Sequence, residues 1–169
     1  MLSKDREEGV RETDTHIFFW KSYLSQWHMR NFRRQGVTYC CAEQFMMAEK
    51  ARLFGDDDAL KKIMSSNSPA THKRIGRQVK NYDDEKWCSV SRYVVFIANM
   101  AKFLQNEDLR EKLLATGNKT IVEASPYDAL WGVALGPWDD NILDEKNWKG
   151  KNWLGQELRS VREQVRYMK

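Results

Sequence analysis

The run Cys41-Ala42-Glu43-Gln44-Phe45-Met46-Met47-Ala48-Glu49-Lys50-Ala51-Arg52-Leu53-Phe54-Gly55 decides how the chain is read. Its apolar residues recur at helical spacing, and Gly55 supplies the left-handed stop that ends many helices. At about 100° per residue, Glu43 and Lys50 point within about 20° of each other, beside Met46, Met47 and Phe54 on the expected buried face. An uncompensated charge buried there costs several kcal/mol, so the two either satisfy each other or are kept for chemistry. A lysine with a depressed pKa beside a carboxylate can act as nucleophile or proton shuttle. Each also has a plain structural reading: Glu43 is an acid in a first helical turn, and Lys50 can snorkel. Glu49 and Arg52 fall on the opposite face and read as solvated.

Working outward toward the N-terminus, Gly36 to Cys40 and His16 to Trp20 read as short strands. The aromatic segment between them, Lys21 to Gln35, reads as a packed loop. Residues 1–15 are nearly all polar and read as a flexible arm, with residues 16–169 as one domain. Toward the C-terminus, the acids from Asp56 to Asp58 cap a helix to about Met64, and Ser68-Pro69 opens another to about Val79. Asp83 or Asp84 starts the longest helix, expected to be central, where Trp87, Val90, Val94, Ile97, Ala101 and Leu104 keep the period. Asn106 caps a further helix that Gly117 stops. Thr120 to Ala124 reads as a strand, Ser125 to Asp128 as the start of a short helix, residues 136–151 as a loop, and Asn152 or Trp153 as the start of the last helix. The expected class is helix-rich α+β, with about six to seven helices and a few short strands.

The 169 residues are enough for one domain, and 7 Trp, 7 Phe and 6 Tyr are enough for a real core. A net charge of +4, from 28 basic and 24 acidic residues interspersed along the chain, fits anionic small ligands as well as nucleic acid. No apolar run reaches the ~18 residues of a membrane span, and no apolar segment follows the charged start as in a signal peptide, so a cytoplasmic protein is expected. Three cysteines without metal-type spacing, Cys40, Cys41 and Cys88, read as reduced packing residues. The Walker glycine loop, G-x-G-x-x-G, H-E-x-x-H and the nucleophile elbow are all missing, so neither a metal nor another cofactor is expected.

Asp128 fits the acid of a capping turn, yet it follows a strand carrying Glu123 and precedes Trp131-Gly132, so two carboxylates and an indole can meet there. Most tryptophans, including Trp27, Trp131 and Trp153, lie in or beside loops, where they plug a core or stack on a flat heterocycle. The basic run ending in Arg77, and Lys149 with Lys151, are solvated faces or phosphate contacts.

In this order, the residues resemble the NADAR family. The matching pieces are Leu24-Ser25-Gln26-Trp27 with Phe32, Ala42-Glu43-Gln44 through Lys50-Ala51, Ser68-Pro69, Ile75-Gly76-Arg77 and Trp87. They continue with Lys102-Phe103, Gln105-Asn106, Leu113 to Gly117, Val122-Glu123-Ala124-Ser125, Asp128, Trp131-Gly132, Gly150 to Gly155 and Val161-Arg162. Gln26 and Gln44 stand where the family usually has asparagine and histidine, and both flank the expected pocket.

The resemblance implies a NADAR-like fold and hydrolysis of an N-glycosidic bond between ribose and an amine or base. The substrate would be a riboflavin-pathway aminopyrimidine ribosyl phosphate or ADP-ribosylated guanine, the latter free or in nucleic acid. Lys50 would be nucleophile or proton donor, Glu43 would tune it, and Asp128 would hold the ribose or activate water. Trp27, Trp131 and Asn152 would clamp base and sugar with Glu123 nearby, and Arg77 and Lys151 would face phosphate. A non-catalytic ADP-ribose or nucleotide sensor is the rival reading.

Overall fold

A computed structural model describes residues 8–168. These contain six α-helices and five short strands, a helix-rich α+β arrangement. The strands are β1 (Val10–Glu12), β2 (His16–Phe19), β3 (Phe32–Arg34), β4 (Val37–Tyr39) and β5 (Thr120–Glu123). The helices are α1 (Ala42–Leu53), α2 (Asp57–Met64), α3 (Pro69–Gly76), α4 (Asp84–Gln105), α5 (Glu107–Ala115) and α6 (Trp153–Tyr167). The residues cluster into two compact units, one of residues 29–106 and one formed by the chain before and after it.

In the unit of residues 29–106, helix starts follow local chemistry. Asp56, Ser68 and Asp83 each accept a backbone N–H of the following first turn, from Ala59, Thr71 and Lys86 respectively, and Pro69 opens α3. Here α1 is the hub in place of the long α4, because it packs on α2, α3, α4 and β4. It is accordingly buried nearly all round, from Ala42 to Ala48 and again at Ala51. The outward positions are few, and the Glu49–Arg52 ion pair occupies two of them. Gln44 shows what burial of a polar side chain requires. Its Oε1 accepts the Cys40 N–H at 2.7 Å, and its Nε2 donates to the carbonyls of Ile63 (3.2 Å) and Ser66 (3.1 Å). α3 stops at Gly76, earlier than the expected Val79, with Arg77 as its C-cap. Gly76 lies so close to α1 that a Cβ there would sit 1.9 Å from Met47 Sδ. β3, inside the expected aromatic loop, pairs with β4 so that Phe32 stands opposite Tyr39, and both rings meet Phe45.

In the other unit, β2 is the middle strand of a sheet ordered β1-β2-β5, antiparallel to β1 and parallel to β5. Part of the expected flexible arm is therefore a strand: Val10 to Glu12 register against Phe19 to Ile17. Residues 1–7 of that arm lie outside the described residues. Phe18, Val122, Ala124, Val133 and Ile142 form the core below the sheet, with Leu135 and Trp148 packed on it.

The short helix expected at Ser125 to Asp128 is absent, and residues 125–132 are turns and bends. The Asp128 carboxylate takes the amides of Leu130 and Trp131 that a helix there would have used, and the carbonyls of Ala129, Leu130, Trp131 and Gly132 accept the amides of Lys151, Trp153, Leu154 and Asn152. The same bonds satisfy the orphan amides at the start of α6. Two 3₁₀ turns, Asp140–Leu143 and Glu145–Asn147, interrupt the expected loop of residues 136–151. No helix among the described residues is long and apolar enough to cross a membrane.

Candidate active site

Glu43 is the second residue of α1 and only 6 % exposed, whereas Lys50, two turns on, is half-buried at the end of the hub. The Lys50 ammonium stands 4.2 Å from the centroid of the Tyr82 ring and 5.7 Å from that of Trp87, both within cation–π range. Tyr82 in turn stacks edge-on against Phe54, at 5.4 Å. Its phenol donates to Asp84 Oδ1 at 2.7 Å, and partial burial with this acidic neighbour pushes it up to about 12. Tyr82 is thus a neutral donor and ring surface at neutral pH.

Burial lowers the Lys50 pKa below the ordinary lysine value. The Glu43 and Asp84 carboxylates act the other way, and the Arg77 guanidinium adds to the lowering. Three candidates from one unit, Lys50, Glu43 and Arg77, thus share one electrostatic neighbourhood. An amine in this setting is neutral more often than a surface lysine, which is the condition for attack on carbon. Tyr82 and Asp84 escaped the sequence reading because neither lies on a periodic apolar face. The signal available was the short Asn81-Tyr82-Asp83-Asp84 entry to the longest helix, and Asn81 adopts φ 57° there.

The other six candidates lie in the other unit. Asp128 Oδ1 accepts the amides of Leu130 (2.9 Å) and Trp131 (2.8 Å), so this carboxylate shapes the turn. Asn152 is buried in the left-handed conformation that asparagine tolerates. Its Oδ1 accepts the Glu123 N–H at 3.0 Å and its Nδ2 donates to the Ile121 carbonyl at 3.0 Å, so it serves β5 as a neighbouring strand would. Gly155 must be glycine beside this contact, since a Cβ would meet Ile121 O at 2.1 Å and Asn152 Oδ1 at 2.4 Å. Glu123 is half-buried at the end of β5. Trp131 packs edge-on against Trp153 at 5.6 Å, Lys151 Nζ lies 5.2 Å from the Trp153 ring, and Trp27 is exposed.

A second titratable cluster was not foreseen. Cys40 and Cys41, just before α1, meet His72 of α3, and all three are buried. Burial pushes the Cys41 thiol up to about 12, raises Cys40 as well and lowers His72. All three cysteines are free thiols, and Cys88 is exposed.

Comparison with known proteins gives a consistent result. Residues 18–166 match the NADAR domain. The chain is 41 % identical over 166 residues to the N-glycosidase R617 of Acanthamoeba polyphaga mimivirus, covering 90 % of this chain and 98 % of the viral protein. It is 32 % identical over 157 residues to the N-glycosidase YbiA of Escherichia coli, covering 90 % and 89 %. The NMR structure of E. coli YbiA superposes with a TM-score of 0.75 at 29 % identity, covering 98 % of this chain and 94 % of that one.

Proposed function

The chain belongs to the NADAR domain family, and from that premise we propose that it hydrolyses the bond between ribose and an amine or base through Lys50 and Glu43. It is a hydrolase of N-glycosidic bonds, as its relatives named N-glycosidases are. The single observation that carries the Lys50 assignment is the half-buried amine held over Tyr82 and Trp87, with Glu43 and Arg77 acting on its charge.

The chemistry runs as follows. The ring oxygen of the ribose takes a proton from solvent water as its bond to C1 breaks, returning it when the ring closes at the end, and the nitrogen of the leaving group supplies the electron pair to C1. The neutral Lys50 amine adds to C1 and loses a proton to the Glu43 carboxylate. Glu43 returns that proton to the leaving nitrogen, the C1–N bond breaks, and an imine to Lys50 remains. Water adds to the imine, Lys50 departs, and the sugar aldehyde closes again. The protons taken up and released balance over the cycle, and no electron transfer occurs.

Substrates of the class are a ribosyl phosphate of an aminopyrimidine and an ADP-ribosylated guanine. Both carry a phosphate for Arg77 and a flat base for an aromatic surface such as Tyr82 or Trp87. Asn152 and Asp128 direct their side-chain bonds to backbone and hold β5 and the turn after Asp128 within their own unit.

The test is a side-by-side assay of base release from the aminopyrimidine ribosyl phosphate and from ADP-ribosylated guanosine and DNA. The proposal predicts turnover of at least one that Lys50→Ala abolishes while the variant stays folded. Tight binding of ADP-ribose without release from any of them would instead establish a sensor.

A further inference from the structure

We propose that Cys40, Cys41 and His72 form a binding site for a soft monovalent cation, Cu(I), at the start of α1. The site is separate from Lys50, which lies nine residues further along, roughly 13 Å up the helix axis.

Four observations converge on it. Cys40 Sγ lies 3.9 Å from Cys41 Sγ, Cys41 Sγ lies 3.8 Å from His72 Nδ1, and all three donor atoms fall within 4.8 Å of one another. With metal–sulfur bonds of about 2.3 Å, a trigonal ion holds its ligands about 4 Å apart, so the side chains need little movement to close on it.

Second, His72 is oriented for ligation. Its Nε2 lies 2.7 Å from the Ser66 carbonyl oxygen, which can only accept, so Nε2 carries the proton and Nδ1 turns its lone pair toward the thiols. A backbone carbonyl bonded to the far ring nitrogen in this way fixes the tautomer of metal-binding histidines. The same carbonyl also accepts from Gln44 Nε2, which ties it to α1.

Third, the donor set selects the ion. The two sulfurs are soft and the imidazole nitrogen is a borderline donor that copper accepts, and among the described residues the group numbers three, all buried. Zinc held by two cysteines and one histidine keeps a fourth position for water or substrate, whereas two or three donors alone satisfy Cu(I), which suits a fully buried group of three.

Fourth, the charge suits a monovalent ion. Two thiolates and Cu(I) sum to −1, and Lys102, fully buried, lies in electrostatic contact with Cys41, with Arg30 near it in turn. On binding, two S–H bonds break and their protons go to solvent, two Cu–S bonds and one Cu–N bond form, and the oxidation state of copper is unchanged.

The experiment uses the full chain carrying Cys88→Ala, which removes the exposed thiol. Cu(I) is titrated anaerobically against bicinchoninate, Zn(II) is titrated against 4-(2-pyridylazo)resorcinol, and X-ray absorption is recorded on the copper-loaded protein. The expected result is one Cu(I) withdrawn per chain, copper bonded to two sulfurs and one nitrogen, and Zn(II) left with its indicator. Cys41→Ser and His72→Gln should each weaken Cu(I) binding about 100-fold or more. Failure to withdraw Cu(I), preference for Zn(II), or undiminished binding in Cys41→Ser would each overturn the proposal. If either variant unfolds, the copper coordination shell of the parent chain decides: two sulfurs and one nitrogen support the site, and any other shell rejects it.

Discussion

The two compact units differ in what their polar side chains surround: residues 29–106 set charges around an amine, besides tying Gln44 to backbone, whereas the other unit's buried polar side chains serve the backbone. In residues 29–106, charged groups gather around one amine: Lys50 is lowered by burial, opposed by Glu43 and Asp84, and assisted by Arg77. In the other unit, polar side chains bind backbone. Asn152 holds β5 by two hydrogen bonds, Asp128 holds two amides of its turn, and Arg162, 2 % exposed, donates to Thr116 Oγ1 and to the Lys119 carbonyl. The first pattern keeps a pKa movable; the second fixes a loop. Substitutions should therefore alter rate and pH dependence in one unit and stability in the other.

The largest effect belongs to Lys50. Lys50→Ala should lower kcat by roughly 10³-fold or more, with a thermal transition close to that of the parent, since the amine is half-buried and its packing partners are ring faces. Steady-state kinetics beside a melting curve checks both halves. Equal loss of activity and stability would erase the distinction between the units.

Asn152→Ala comes next and should act on the fold. It leaves the Glu123 amide and the Ile121 carbonyl without their partner and puts alanine into a left-handed backbone, a cost of about 3 kcal/mol. Urea unfolding followed by tryptophan fluorescence measures it. An unchanged midpoint would show that the amide is not holding β5.

Glu43→Gln should slow turnover by about tenfold to a hundredfold, because the proton carrier is lost, and it should also move the pH profile. The Glu43 carboxylate raises the Lys50 pKa, so its removal lets that pKa fall further. The rising limb of kcat/KM, which follows deprotonation of Lys50, then shifts to lower pH. Arg77→Met raises KM through the lost phosphate contact, and of the pH effects it gives the smallest, with the opposite sign. The guanidinium lowers the Lys50 pKa, so without it the limb moves to higher pH. Two limbs shifted in the same direction would show that Lys50 is not the titrating group.

Much of the fold was legible because its signals are local. The caps at Asp56, Ser68 and Asp83 start helices where the sequence places them, and Glu43 and Lys50 stand on α1 as its period requires. What escaped depends on partners distant in the chain. β1 and β3 are three residues each and exist because β2 and β4 pair with them, which no composition in Val10–Glu12 or Phe32–Arg34 announces. The missing helix at Ser125 is the converse case, since the Asp128 carboxylate takes the amides of Leu130 and Trp131 that a helix would have paired with the carbonyls of Pro126 and Tyr127.

The candidate site divides along the same line. The helical pair is written in a seven-residue spacing. Tyr82, Asp84 and Trp87 join it only through the packing of α1 beside α4, and His72 reaches Cys41 across 31 residues of sequence.

The most direct measurement is reductive trapping. Full-length protein turning over a ribosyl substrate is treated with borohydride, digested and mapped by mass spectrometry. An attack by the Lys50 amine predicts a reduced sugar adduct on the peptide containing Lys50, absent from Lys50→Arg and from samples without substrate. Release of base at the normal rate with no adduct, or with the adduct on another lysine, would contradict it.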